Sequence, residues 1–290
     1  MSDDNPLKSI AIAAPLSLPD AVTQAGEVSA FLEERGVQTA TGEILDESLN
    51  HRIQDGEFQL LIVLGGDGTM LRAGHLCAPV NIPILGINMG RFGFLYEVQR
   101  DEWRDTLPKL LEGKYRLEKR MMLQASLRHK GQPGGQWEVV NDVVVARGLV
   151  VRPVKLTVCV DGYHLADYVA DGMIAASATG STAYSLAAGG PILPPEVRNI
   201  LILPVAPHLS VDRAIVLAEG ASVGITVNTQ HEAVVSIDGQ HPVAITSGDE
   251  VQVTASDHSL SFIRFQDPGY FYRNLVSYME RNPLTNIKNE

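Results

Sequence analysis

The order of apolar and polar positions divides the chain into two stretches of different texture. In the first, short apolar runs alternate with segments of helical spacing. The run at 60–64, which reads LLIVL, is unbroken and typical of a strand buried on both faces. A second such run lies at 83–87, and helical spacing covers 19–35 and 101–111. This alternation predicts an N-terminal α/β domain with a doubly wound parallel sheet, which binds ligands at the carboxyl ends of its strands.

Beyond residue 115 the pattern is mainly strand-like, with few helical segments. Apolar alternation recurs at 121–128, 154–160 and 251–254, and Asp161-Gly162 is a typical hairpin turn. These patterns predict a C-terminal, mainly antiparallel, β-sandwich-like domain. We predict an α/β domain at residues 1–118, a β-rich domain at 119–266 and a C-terminal helix within 267–290.

Composition narrows the possible classes of function. The 290 residues carry a net charge of −11, which argues against nucleic-acid binding because phosphate contacts need a basic face. No stretch is long and apolar enough to span a bilayer, and the acidic start lacks a signal-peptide core, so we expect a cytoplasmic protein without a membrane partner. Cys77 and Cys159 provide neither a disulfide framework nor a CxxC site, and the eight histidines include no HExxH pair.

The first unbroken run ends at a glycine-rich loop, Gly65-Gly66-Asp67-Gly68-Thr69. A strand, a glycine turn and a helix start, predicted at Thr69, place unpaired N–H groups where a phosphate can bind. The loop lacks the Gly-Lys-Ser/Thr ending of a Walker loop and has Leu71 where a dinucleotide fingerprint needs glycine. A plain βα turn is the alternative. Asp67 argues against it, because an anion beside phosphate donors repels the phosphate unless it handles a proton or a metal.

Three later segments carry further polar groups. Asn141 and Asp142 interrupt an apolar strand, which is costly if they are buried without partners. A ribose could supply partners, and a solvated bulge is the alternative. The segment 179–182 is rich in helix-capping side chains and precedes a predicted helix at 183–188, which needs no ligand to explain it. Asp238-Gly239 is first of all a hairpin signal, which makes Asp238 a turn residue.

The glycine loop is similar to the GGDGT signature that NAD kinases share with diacylglycerol and sphingosine kinases. The run from Asp171 through TGSTAYS at 179–185 to Gly189-Gly190-Pro191 resembles NAD kinases specifically, and the similarity covers nearly the whole chain. The resemblance implies transfer of a phosphoryl group from ATP, or another donor such as polyphosphate, to the 2′-hydroxyl of the adenosine ribose of NAD. It also implies a divalent cation, Mg or Mn, and a homo-oligomer, either a dimer or a tetramer. The C-terminal tail would return to the first domain, and a simple terminal helix is the alternative.

The same resemblance implies roles for individual residues. Asp67 would accept the hydroxyl proton, while the metal ligands stay unspecified. The phosphate-donor loop would comprise Gly65, Gly66, Gly68 and Thr69. The residues expected to contact NAD are Asp67, Gly68, Arg72, Asn141, Asp142, Arg152, Val169, Asp171, Thr179, Thr182, Ala183, Tyr184, Ser185, Leu186, Ala187, Ala206 and Gln240. Many NAD kinases have Asn-Glu where this chain has the shorter Asp142, and a solvated arginine is the alternative for Arg72 and Arg152.

Two other functions compete with this interpretation. A lipid kinase would share the glycine loop but need an apolar cleft for acyl chains, and the run at 179–191 disfavours it. A dinucleotide-binding sensor would keep the pocket without turnover, and the intact Asp67 disfavours that. The sequence leaves open the preferred donor, the acceptance of NADH, the oligomeric state and any regulation by NADP or NADPH. Val169 stands where some relatives carry a basic residue.

Overall fold

The computed structural model of this chain describes residues 7–90, 93–208 and 212–280, with side chains up to 276. Its contacts divide the chain into two compact units. Unit 1 takes in Met1–Lys119 and Leu260–Glu290, and unit 2 is Arg120–Ser259. Residues 281–290 of the predicted tail lie outside the described residues. The domain boundaries given above stay a prediction.

Unit 1 contains a parallel sheet whose strands alternate with helices along the chain. Its strands are β1 (Ser9–Ala13), β2 (Gln38–Gly42), β3 (Leu60–Gly65), β4 (Ile84–Asn88) and β5 (Val98–Gln99). Its first four helices are α1 (Pro19–Glu33), α2 (Glu47–Gln54), α3 (Asp67–Cys77) and α4 (Trp103–Leu111). The strand order is β5-β4-β3-β1-β2, and each of these pairings is parallel.

The central strand β3 explains the unbroken apolar run. Leu60, Ile62 and Leu64 belong to one hydrophobic core of unit 1. Leu61 and Val63 alternate with them along the strand, so they point to the opposite face, and they are also fully buried. A strand that is covered on both faces needs an apolar side chain at every position, which is why the run has no polar interruption.

Unit 2 is built from antiparallel strands. They are β6 (Arg116–His129), β7 (Gln132–Val139), β8 (Asp142–Arg147), β9 (Val154–Val160), β10 (Tyr163–Ala170), β11 (Gly172–Ala176), β12 (Asn199–Val205), β13 (Ile215–Ala218), β14 (Val223–Val227), β15 (Ala233–Ile237), β16 (Val243–Ile245) and β17 (Glu250–Arg264), of which β6 and β17 also contribute residues to unit 1. The helices that complete the chain are the short α5 (Tyr184–Ala187) and α6 (Tyr270–Glu280).

The strands of unit 2 form two layers. One is a six-stranded sheet in the order β13-β12-β11-β8-β15-β16, and the other contains β10-β9-β14-β17 and the hairpin β6-β7. A single hydrophobic core takes side chains from both layers, such as Val145 of β8 and Val158 of β9. The predicted fold class, an N-terminal α/β domain with a parallel sheet followed by an antiparallel β domain, is confirmed. Among the described residues, no helix is long and apolar enough to cross a bilayer.

Candidate active site

The glycine loop lies at the carboxyl end of β3, as the sequence predicts. The helix that follows begins at Asp67 with Gly66 as its N-cap, two residues earlier than the predicted start at Thr69. The N–H groups of Thr69 and Met70 donate to the Gly66 carbonyl, at 2.8 and 3.2 Å. Asp67 therefore belongs to the first helical turn, where a negative charge is favoured by the helix dipole.

The glycines of this loop differ in purpose. A Cβ on Gly65 would lie 2.6 Å from Thr69 Oγ1, so close packing at the end of β3 requires glycine there. Gly66 and Gly68 face open space, since apart from the adjoining residues and the helix backbone no atom lies within 4 Å of the position a Cβ would take. That space lets a ligand approach the main chain at the helix start. Arg72 is exposed and lies further along the same helix.

The Asp67 carboxylate is held by the chain that follows β4. The N–H groups of Phe94 and Leu95 donate to its two oxygens, at 3.3 and 3.4 Å. A Cβ on Gly93 would lie 3.0 Å from Asp67 Oδ1, so this segment approaches the carboxylate closely because it carries a glycine. The Asp67 side chain is half-buried.

In unit 2 the predicted polar pair lies at a real break between strands. The strand β7 ends at Val139 and β8 begins at Asp142. The Asp238 carboxylate accepts the N–H groups of Val140, Asn141 and Asp142, at 2.8, 2.7 and 3.0 Å. The interpretation of Asp238 as only a turn residue is therefore incomplete. It has the left-handed backbone of a turn, with φ of 49°, and also satisfies three N–H groups of this break.

The segment 177–180 packs directly on the same break. Ser177 Oγ donates to the Val140 carbonyl at 2.6 Å and accepts the Gly180 N–H at 3.1 Å. The Ser177 N–H donates to the Asn141 carbonyl at 2.8 Å. A Cβ on Gly180 would lie only 2.0 Å from that carbonyl oxygen, so this approach is possible only with glycine. Asn141 and the start of the TGSTAYS run are thereby brought together.

The predicted helix at 183–188 is shorter than expected. A 3₁₀ turn covers Thr179–Thr182, and the α-helical segment α5 covers only Tyr184–Ala187. The hydroxyls of Ser181 and Thr182 donate to carbonyl oxygens three residues earlier, at 2.7 and 3.1 Å. They stabilise a tight turn instead of capping a longer helix, because such local bonds compete with helical geometry.

Several side chains around this turn are open to a ligand. Tyr184 is 47 % exposed. Thr179 Oγ1 and Ser185 Oγ are buried without a hydrogen-bond partner in the described part of the chain, so a bound group could supply one. Gln240 is exposed beside the Asp238 turn, where its N–H donates to the Ile237 carbonyl. Of the remaining predicted contacts, Thr182, Ala183 and Leu186 are half-buried and Ala187 is exposed.

Asp142 is only 4 % exposed, so the alternative of a solvated bulge is wrong for this residue. Burial disfavours its charged form, and the nearby Asp238 carboxylate repels it. The backbone N–H of Tyr184 stabilises the charge but does not offset both effects. Together they raise the pKa of Asp142 to about 7.

This pKa predicts a pH-dependent stability. Native Asp142 retains a proton that an unfolded chain, with a pKa near 3.8, releases. The free energy of unfolding should therefore fall as the pH rises from about 4 to about 7, and then level off. Asp142→Asn removes this titrating group, so the variant should not lose stability in this way. Its free energy of unfolding minus that of the parent should therefore rise by on the order of a few kcal/mol between about pH 4 and about pH 7. Urea unfolding from about pH 4 to about pH 8 checks this. Parallel pH profiles for the two proteins would contradict it.

A second group of predicted contacts lies elsewhere in unit 2. Asp171 and Val169 lie near the other end of β11, where the Asp171 N–H donates to the Val205 carbonyl at 2.9 Å, next to Ala206. Asp171 also pairs with Arg147 at 3.3 Å. Asp142 pairs with Ala176 at the far end of β11, and Ala176 lies about 13 Å from Gly172 at the usual rise per residue. The structure thus separates Val169, Asp171 and Ala206 from the group around Asp142, and Arg152 is exposed in the segment after β8.

Comparison with known proteins identifies the family. The family model described as the ATP-NAD kinase N-terminal domain matches residues 17–115, and that of the ATP-NAD kinase C-terminal domain matches residues 140–265. An NAD kinase of Dehalococcoides mccartyi is 37 % identical over 266 residues, which cover 91 % of this chain and 93 % of that protein. The chain belongs to the NAD kinase family.

Solved structures share the fold of this family member. A crystal structure of yeast NADH kinase complexed with NADH has a TM-score of 0.85 and 24 % identity, covering 99 % of this chain and 91 % of that one. An NAD kinase from Archaeoglobus fulgidus in complex with ATP has a TM-score of 0.76 and 24 % identity, covering 94 % and 98 %. At this identity the two structures show the common fold.

The sequence pattern predicts only a turn at Asp238 and no role for Ser177, although both residues shape the site. A polar interruption of an apolar strand indicates N–H groups that need acceptors, so the sequence can show that acceptors are required at 140–142. The sequence cannot show that Asp238 is the acceptor, because Asp238 lies 96 to 98 residues away in the chain.

Proposed function

We propose that this protein phosphorylates NAD. The terminal phosphoryl group of ATP is transferred to the 2′-hydroxyl of the adenosine ribose, which gives NADP and ADP. The observation that carries this proposal is a carboxylate, Asp67, which accepts two N–H groups at a helix start whose glycine turn leaves room for phosphate. Family membership supports the choice of substrate, and the yeast and Archaeoglobus structures hold NADH and ATP respectively.

In this proposal the loop binds and Asp67 moves a proton. Phosphoryl transfer asks a protein mainly for positioning and for neutralisation of charge. The N–H groups of Gly66 and Gly68 position the donor phosphates, while the Thr69 N–H, which donates to the Gly66 carbonyl, holds the loop in shape. Asp67 accepts the proton of the ribose hydroxyl as its oxygen bonds to phosphorus and the bond to the ADP oxygen breaks. The residues around Asp142 hold the dinucleotide.

A divalent cation fits this site only as a companion of the phosphates. Within 7–90, 93–208 and 212–280, no three His, Cys, Asp or Glu residues are close enough to form a metal site. Mg²⁺ commonly binds through one or two carboxylates together with substrate phosphates and water. Asp67 is the carboxylate that this loop offers. A Mg²⁺ or Mn²⁺ ion that enters with ATP would neutralise phosphate charge.

A coupled assay for NADP formation tests the proposal. ATP and polyphosphate are compared as donors, and NAD and NADH as acceptors, with diacylglycerol and sphingosine as competing acceptors. NADP formation that depends on a donor supports the proposal. Phosphorylation of a lipid but not of NAD would overturn it in favour of a lipid kinase. Binding of NAD by calorimetry without product under any donor would overturn it in favour of a sensor.

Cellular location and assembly follow the family resemblance. We propose that the protein acts in the cytoplasm and assembles as a homodimer or homotetramer. Fractionation of cells and light scattering of the purified protein test these two points.

Tyr184→Ala is expected to weaken NAD binding and leave the fold intact. The ring is 47 % exposed, so its removal costs little packing, while a ring beside the Asp142 group can cover a bound nucleotide. We expect Kd to rise about tenfold, close to the energy of one good aromatic contact, with an unchanged melting temperature. Calorimetry and thermal unfolding measure the two. Tyr163→Ala is the matched control, since this tyrosine is 79 % exposed on β10 and has no predicted contact. An unfolded Tyr184→Ala variant, or unchanged affinity, would assign Tyr184 to the structure alone.

A further inference from the structure

We infer that Tyr96 is a positioning residue that holds the glycine loop and its carboxylate in the reactive arrangement. Tyr96 is not among the residues predicted to contact NAD or the donor phosphates, and it acts through Gly66 and Asp67. The inference rests on the proposed function for its kinetic consequence, but its structural consequence is independent of catalysis.

The hydroxyl of Tyr96 donates to the main chain of the glycine loop. Its bond to the Gly66 carbonyl is 2.9 Å long, and the side chain is 2 % exposed. The same carbonyl accepts the N–H groups of Thr69 and Met70, which form the first bonds of α3. The hydroxyl therefore fixes the peptide that sets where the helix begins and in which direction its free N–H groups point.

The Tyr96 ring packs closely against the main chain at two glycines, Gly86 and Gly93. A Cβ on Gly86 would lie 2.7 Å from Tyr96 Cδ1, and one on Gly93 would lie 2.9 Å from Cδ2, on the other edge of the ring. A Cβ on Gly86 would also lie 2.1 Å from the Met70 Cε atom. The ring thus lies against main chain on both edges, and its hydroxyl has one direction available.

The segment that carries Tyr96 is tied on both sides. Toward the loop, the N–H groups of Phe94 and Leu95 donate to Asp67. Away from it, the Leu95 carbonyl accepts from Arg264 at 3.2 Å, and Glu97 accepts the N–H groups of Phe265 and Gln266 at 3.1 and 2.7 Å.

Arg264 is itself buried and paired with Glu118 at 3.1 Å. The segment therefore connects the end of β17 to the glycine loop, and the bond from the Tyr96 hydroxyl is shorter than those from the Phe94 and Leu95 N–H groups. The bonds that Asp67 accepts from Phe94 and Leu95 are long, at 3.3 and 3.4 Å, whereas the Tyr96 hydroxyl bonds the Gly66 carbonyl at 2.9 Å.

The hydroxyl stays a donor throughout the working pH range. Burial raises the pKa of Tyr96, and the charge of Asp67 raises it further. The bond to Gly66 is therefore independent of pH.

The test replaces Tyr96 by phenylalanine, which keeps the packed ring and removes only the hydroxyl. We expect kcat for NADP formation to fall about two- to tenfold. The loss of one hydrogen bond lowers the fraction of molecules whose loop has the productive arrangement by about this factor. KM for NAD and the kinetic pKa should stay the same, because neither binding nor the charge of Asp67 changes. Tyr168→Phe is the matched control, since Tyr168 is also 2 % exposed but lies in unit 2. Its kcat should be unchanged.

Gly93→Ala provides a second variant with the same readout. The added methyl group would lie 2.9 Å from Tyr96 Cδ2 and 3.0 Å from Asp67 Oδ1, so the ring and the carboxylate must both shift. We expect a larger fall in kcat than for Tyr96→Phe, again with little change in KM. A fall in kcat that Tyr168→Phe shares, or one that follows lost thermal stability in all variants, would overturn the inference.

Hydrogen exchange separates this inference from the proposed function. In Tyr96→Phe the amides of Thr69 and Met70, which bond to Gly66, should exchange faster, while those of unit 2 should not change. Faster exchange supports the positioning role even if the parent forms no NADP, a result that would overturn only the proposed function. Unchanged exchange with unchanged kcat in an active enzyme would overturn the positioning role alone.

Discussion

Asp67→Asn is expected to lower kcat by about 10²–10⁴-fold, with NAD affinity changed much less. A ribose hydroxyl is a poor nucleophile near neutral pH, and the carboxylate accepts its proton as the bond to phosphorus forms. Asparagine keeps the size of the side chain and can still accept one of the two N–H groups from Phe94 and Leu95. It loses the basic oxygen. Steady-state kinetics and NAD binding by calorimetry measure the two effects.

The controls for Asp67→Asn separate proton transfer from other roles. Asp101→Asn changes an exposed aspartate of unit 1 and should leave kcat unchanged. NAD that lacks the adenosine 2′-hydroxyl should bind and compete without reacting. Partial rescue of Asp67→Asn by added Mg²⁺ would indicate a metal ligand instead of a proton acceptor. Turnover near the parent rate without rescue would leave the loop as a phosphate cradle and remove Asp67 from the chemistry.

Asp238→Ala is expected to have the second largest effect, on both stability and NAD binding. Its carboxylate accepts three N–H groups, and alanine leaves all three without this acceptor. We expect a loss of about 2–5 kcal/mol in the free energy of unfolding. Because Asn141 and Asp142 are held by these bonds, Kd for NAD should rise about tenfold or more in the folded variant. Urea unfolding and calorimetry measure the two.

Asp161→Ala is the matched control for this prediction. Asp161 and Asp238 both have left-handed backbones, with φ of 53° and 49°, and each precedes a glycine with positive φ. The Asp161 carboxylate accepts the Ser222 N–H at 2.8 Å and lies away from the break at Asn141. Asp161→Ala should therefore cost at most about 1–2 kcal/mol and leave NAD affinity unchanged. Equal losses in the two variants would show that Asp238 is a turn residue and nothing more.

The two predictions concern different parts of the proposed reaction. Asp67 belongs to the chemical step, so its replacement should appear in kcat. Asp238 holds the backbone of the Asn141–Asp142 break, so its replacement should appear in binding and stability. If Asp67→Asn changed mainly NAD binding and Asp238→Ala mainly kcat, the roles proposed for these two residues would be wrong.

The sequence by itself determined the architecture and the position of the main loop. The pattern of apolar residues is formed by residues that are adjacent in the chain, so it is visible in the sequence. The unbroken run at 60–64 is therefore enough to predict a strand buried on both faces. The glycines that follow mark the end of that strand, which predicts the position of Asp67. The family was evident for the same reason, since the GGDGT and TGSTAYS segments are continuous in the chain.

Tertiary structure decided how the polar groups are satisfied. Asp142 was open between a buried and a solvated position, and only the packing of unit 2 around it excluded the solvated one. Asp238 and Tyr96 find their partners 96 to 98 and 30 residues away, and no local pattern specifies such partners. The short α5 follows a turn in which the Ser181 and Thr182 hydroxyls bond to carbonyl oxygens three residues earlier, and such local bonds compete with helical geometry. Hydrophobic burial, summed over many residues, can be read from sequence, whereas individual hydrogen bonds depend on which distant groups the fold brings together.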